Sequence, residues 1–96
     1  MRMCLLIYCE VADEAVIGSL RKAGIKGYTK LEEAQGEGTE TEPKLGTHCW
    51  PGKNNVLLMA LDEGQVRGVG DLIRKLKHDH PRAGLRGFLL PLEECI

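Results

Sequence analysis

Two groups of side chains in this chain have the chemistry to hold a ligand. His48 and Cys49 are adjacent, and His78 and His80 flank Asp79. Imidazole and thiolate are good ligands for zinc, copper or nickel, so a divalent metal is one expectation at His48 and Cys49. That set is incomplete by itself: neighbouring residues project in different directions, and sharing between copies of the chain could complete it. His78 and His80 could share an ion only where a helix has unwound, because same-face helical ligands stand at i,i+4. Otherwise the histidines serve as caps or surface groups. The second group is Lys53 and Arg86. A guanidinium and an ammonium suit phosphate or carboxylate, so these residues are read either as anion contacts or as solvated charges.

No catalytic set stands out. There is no nucleophile elbow, Walker loop or HExxH, and Glu32-Glu33 and Glu93-Glu94 are adjacent carboxylates, which on a strand face opposite sides. The chain reads as a binding protein and not as an enzyme.

The segment Gly36 to Gly52, GEGTETEPKLGTHCWPG, contains His48 and Cys49 and runs up to Lys53. It shows no helix or strand period and holds four Gly, two Pro and the only Trp. A loop of this length inside a small domain is expected to be functional or disordered. Trp50-Pro51-Gly52-Lys53 forms a turn in which the Trp either packs over an interface or stacks on a base.

The elements around this loop follow from pattern. Arg2 to Cys9 is a short apolar run that suits a central strand. Asp13 to Ala23 reads as a helix: Ala12, Val16, Leu20 and Ala23 recur near helical spacing, with Ile17 widening the stripe and Gly24 as the C-cap. Ile25 to Ala34 reads as a second strand and Lys53 to Leu61 as a third. Asp62 and Gln65 form a capping box at the head of a helix from Glu63 to His78. Pro81 ends that helical region, and Gly87 to Leu90 is the fourth strand. The order βαββαβ predicts an α+β, ferredoxin-like split β-α-β sandwich. Both helices would cover one sheet face; the other, equally apolar, argues for assembly through it.

Composition sets outer bounds. The 96 residues fit one domain, 1–96, of globular class, with 28% charged and 43% hydrophobic residues. A net charge of −1 gives no footprint for nucleic acid or an anionic membrane. The cluster Arg74, Lys75 and Lys77 reads as a solvated helix face. No apolar run approaches the roughly 20 residues of a membrane helix, and the N-terminus lacks the marks of a signal peptide, so a cytoplasmic protein is expected. Cys4, Cys9, Cys49 and Cys95 show no C-x-x-C pair and are read as buried thiols, with a Cys9–Cys95 redox pair as the alternative if their strands are neighbours.

The pattern then acquires a likeness. Gly84 to Ile96, GLRGFLLPLEECI, resembles the closing strand of PII signalling proteins, and Gly27 to Gly38, GYTKLEEAQGEG, resembles the PII segment that enters the T-loop. CWPGKNNVLLMAL is similar to the Trp-x-Gly-Lys turn of CutA proteins, matched at Trp50, Gly52 and Lys53. The PII resemblance implies a homotrimer that binds a small effector, an adenine nucleotide or other anion, between subunits. Its loop would report to a protein partner, a membrane transporter or an enzyme. It implies that Thr29 stands near the adenine, that Gly36 and Gly38 form the base of a shortened T-loop over 36–52, and that Arg86 takes the place of a phosphate-binding lysine. The alternative is a metal-binding PII/CutA-like protein tied to heavy-metal tolerance or efflux.

Overall fold

A computed structural model describes residues 1–36 and 53–96. Its elements are β1 (Arg2–Cys9), a 3-10 turn (Glu10–Ala12), α1 (Asp13–Lys22), β2 (Thr29–Ala34), β3 (Asn54–Leu61), α2 (Glu63–Asp79) and β4 (Arg86–Pro91). The strands form one antiparallel sheet in the order β2-β3-β1-β4. β1 and β2 therefore run parallel with β3 between them, and β3 and β4 run parallel with β1 between them. This is the expected α+β split β-α-β arrangement.

The core lies between the sheet and its two helices. Along β1, Cys4, Leu6 and Tyr8 are buried while Met3, Leu5 and Ile7 are only half covered. Side chains alternate across a strand, so the first set faces the helices and the second the open side. Leu57, Met59 and Leu61 continue the inner layer, and Val16, Ile17 and Leu20 of α1 and Val69, Ile73 and Leu76 of α2 close it. The predicted capping box is formed: Gln65 N donates to Asp62 Oδ1 at 3.0 Å and Asp62 N to Gln65 Oε1 at 3.0 Å.

Two boundaries move for one reason. Gly24, at φ +83°, ends α1 in a Schellman motif. Its N–H donates to the Arg21 carbonyl at 3.0 Å, and the N–H of Ile25 to the Leu20 carbonyl at 2.9 Å. This cap turns Ile25 into the core beside Leu20 and leaves Ala23 exposed. Ile25 is thus the hydrophobic partner of a helix end, and β2 begins at Thr29 instead of Ile25. The expected burial of Ala23 fails for the same reason.

The cysteine expectations also change. Cys4 is a buried free thiol, as expected, and burial pushes its pKa up. Cys95 is free but exposed, and Cys9 is disulfide-bonded. The Cys9–Cys95 pair does not form, although β1 and β4 are neighbours. The strands are antiparallel, with Arg2 opposite Pro91 and Ile7 opposite Arg86. The tail after β4 therefore leaves beside the start of β1, at the opposite end from Cys9.

Candidate functional site

The outer sheet face follows from register, because directly opposed residues of antiparallel strands share a face. One row across it is Leu31, Val56, Ile7 and Arg86; the next is Thr29, Leu58, Leu5 and Phe88. Leu31 is 53% exposed, Phe88 49% and Leu90 41%. The face is a nearly continuous apolar surface with Thr29 on one edge strand and Arg86 on the other.

Lys53 and Arg86 lie on either side of β1, towards the end where that strand finishes: Lys53 is level with Glu10 and Arg86 with Ile7. Cys9 N donates to the Ala83 carbonyl at 2.7 Å, and Glu10 N to the Lys53 carbonyl at 3.0 Å. The end of β1 thereby holds the start of β3 on one side and the turn before β4 on the other. Gly84, at φ +63°, permits that turn, since a left-handed backbone strains residues with a side chain. The Lys53 ammonium stands 4.0 Å from Glu10 and is 57% exposed, so this surface pair holds it only weakly. Thr29 is elsewhere: β3 and β1 both lie between it and Arg86, three strand spacings of about 4.8 Å each. Only a ligand smaller than that span is prevented from touching both residues of one chain.

Gly36 lies just past β2, and a Cβ there would meet Asn54 Nδ2 at 3.8 Å, an ordinary contact. Gly38, His48 and Cys49 lie outside the described residues, as does Trp50. His78 is in the last turn of α2 and His80 is its C-cap. Among the described residues no three His, Cys, Asp or Glu side chains group in a way that could hold a metal ion. The basic cluster on α2 is a solvated face: Arg74 pairs with Asp71 and Lys75 with Asp79, all exposed.

The structure adds a polar cluster that sequence reasoning missed. The Asp13 carboxylate, at the first residue of α1, accepts three hydrogen bonds: from the Tyr8 hydroxyl at 2.6 Å, the Lys30 ammonium at 3.1 Å and the Asn55 amide at 3.1 Å. Burial pushes the Asp13 carboxyl up, but the three hydrogen bonds and the Lys30 charge outweigh it and hold the group below its ordinary value. The bond to Asp13 raises the Lys30 ammonium, while burial and then the Asp13 bond push the Tyr8 hydroxyl well up. Asn55 is 3% exposed, and its Oδ1 has no hydrogen-bond partner among the described residues, while its Nδ2 bonds to Asp13. A signal for the cluster existed in Asn55, a polar residue at an inward position of an otherwise apolar strand.

No family model matches the chain, and no curated protein matches it. Solved structures do. A structure of CPII, a nitrogen regulatory PII-like protein from Thiomonas intermedia K12 bound to ADP, AMP and bicarbonate, superposes with a TM-score of 0.67 at 20% identity over 92% of this chain and 86% of that one. A second CPII structure with the same ligands gives 0.68 at 18% identity over 99% and 94%. A protein from Thermus thermophilus, provisionally named a PII-like signalling protein, gives 0.62 at 18% identity over 93% and 83%. The chain has the fold of PII-like proteins.

Proposed function

We propose that the chain is a PII-like regulator that assembles as a homotrimer through its open sheet face and binds a small anionic effector, an adenine nucleotide, in the clefts between subunits. Thr29 comes from one subunit and Arg86 from its neighbour, with Gly36, Gly38 and Lys53 completing the set. The segment 36–52 reports occupancy to a protein partner such as a transporter or enzyme, and the role is regulatory, without catalysis. The observation that carries this reading is the placement of Thr29 and Arg86 on one apolar face with two strands between them: the candidate contacts become one site when copies meet. The ligands of CPII, which shares the fold, support the choice of nucleotide.

Calorimetric titration with ATP, ADP and AMP, with and without bicarbonate, tests it. Saturable binding that weakens at least tenfold in Arg86→Ala is expected, in line with about 1.5–3 kcal/mol for a hydrogen bond to a charged group. Silence towards all of them at millimolar concentration would remove the nucleotide. The metal alternative at His48 and Cys49 is decided by the same calorimeter with copper, zinc and nickel against His48→Ala and Cys49→Ala.

No helix among the described residues is long and apolar enough to cross a membrane. We place the chain in the cytoplasm on its sequence, although the disulfide at Cys9 weighs against a reducing compartment. Alkylation of thiols at the moment of cell lysis decides the point.

A further inference from the structure

β2 is an edge strand that buries none of its six residues. Register is ordinarily pinned by an apolar face that a one-residue slip would expose, and in the single chain β2 has no buried apolar face: Leu31 is 53% exposed and points to the open side. Its ladder with β3 is interrupted between Leu31 and Ala34, where Glu33 adopts φ +57°. What distinguishes one register from its neighbours is Lys30. Opposite Leu57, it reaches the helix side of the sheet and donates to Asp13 at 3.1 Å. Asp13 is itself fixed by Tyr8 of β1 and Asn55 of β3, both buried.

We propose that Asp13 is a positioning residue, which through Lys30 sets the register of β2 and so holds Thr29 on the open face where the effector is to be bound. The chain of contact is short. α1 begins at Asp13, the carboxylate is clamped by the two inner strands, and the remaining oxygen holds the edge strand. A slip by one residue would carry Lys30 to the apolar face and Thr29 to the helix side. The effector half of this proposal rests on the function proposed above; the register half does not.

Lys30→Met isolates the β2 arm, because Tyr8 and Asn55 still hold Asp13, and Lys30→Arg restores the charge. Amide exchange followed by NMR, together with the cross-strand Overhauser contact between Thr29 and Leu58, reads the register. In Lys30→Met the β2 amides bonded to β3 should exchange roughly tenfold faster and the Thr29–Leu58 contact should weaken, tenfold corresponding to about 1.4 kcal/mol. The β1 and β4 amides should keep their protection, and Lys30→Arg should behave like the parent chain. Protection lost equally across the sheet, or unchanged in β2, would overturn the register role. ADP affinity should fall in Lys30→Met and return in Lys30→Arg; unchanged affinity beside a loosened β2 would overturn the link to Thr29. If the parent chain itself fails to bind ADP, the effector reading fails alone, and exchange still decides the register.

Discussion

Gly87 of β4 and Ile73 of α2 approach so closely that a Cβ on the glycine would stand 2.9 Å from Ile73 Cδ1 and 3.4 Å from its Cγ2. The glycine lies on the helix side of an edge strand, and its missing side chain is the space that Ile73 fills. Gly87→Val should therefore cost about 1–3 kcal/mol by overpacking. Gly87→Ala should cost less, since the nearest atom is the tip of a side chain that can turn. In Ile73→Val, which removes Cδ1 at about 0.5–1.5 kcal/mol, the alanine should be tolerated better than in the parent. A double-mutant cycle by urea unfolding measures this coupling.

The Asp13 pair sets limits at both ends of the pH scale. Asp13 is held below its ordinary value of 3.8, so its contribution is present above that value and is lost as pH falls through the lower folded pKa. Lys30 is raised above 10.5, so its contribution is present below 10.5 and is lost as pH rises through the higher folded pKa. The stability difference between the parent and Asp13→Asn should be flat through neutrality and shrink below about pH 3.8. Urea midpoints measured across the acid range check it; a difference that grows on acidification would contradict the geometry.

Asp62→Ala removes the side chain that caps α2 and should cost about 1 kcal/mol. The helix needs this cap, because Gly64, Gly68 and Gly70 each weaken it by up to about 1 kcal/mol against alanine. The loss should appear in thermal unfolding, and Asp62→Ser should recover most of it.

The outer face supplies an assembly test. Phe88 and Leu5 are directly opposed on it. Phe88→Asp places a charge on that surface and should convert a trimer to monomer in sedimentation analysis, while far-ultraviolet dichroism stays native-like. A parent chain that sediments as a monomer at tens of micromolar would refute assembly through this face.

The fold was legible because its signals are regional. The alternation along β1, the capping box of α2 and the βαββαβ order each depend on spacing within one segment, and they agree. Ile25 was misread because its apolar character serves a helix cap, and cap and strand look alike over three residues. The Asp13 cluster was missed for a different reason: Asn55 marked one member, but the partners stand 5, 17 and 42 positions from Asp13, and only the sheet order brings them together. Of the candidate site, the placement of Thr29, Lys53 and Arg86 relative to one another depends on which strands lie between them, which no local pattern records. Gly38, His48 and Cys49 stay as expectations from the sequence, outside the described residues.

The sheet order has a consequence for how the chain comes into being. β1 precedes both of its neighbours by a long way: β3 begins at Asn54 and β4 at Arg86. During synthesis its run of Leu5, Leu6 and Ile7 must wait until residue 91 before it is paired on both sides. Ribosomes add about 5–20 residues each second, so the most sticky strand stays half-partnered for several seconds. During that interval the apolar residues of β1 lack one neighbouring strand, the condition in which an unpaired edge is exposed to wrong pairing.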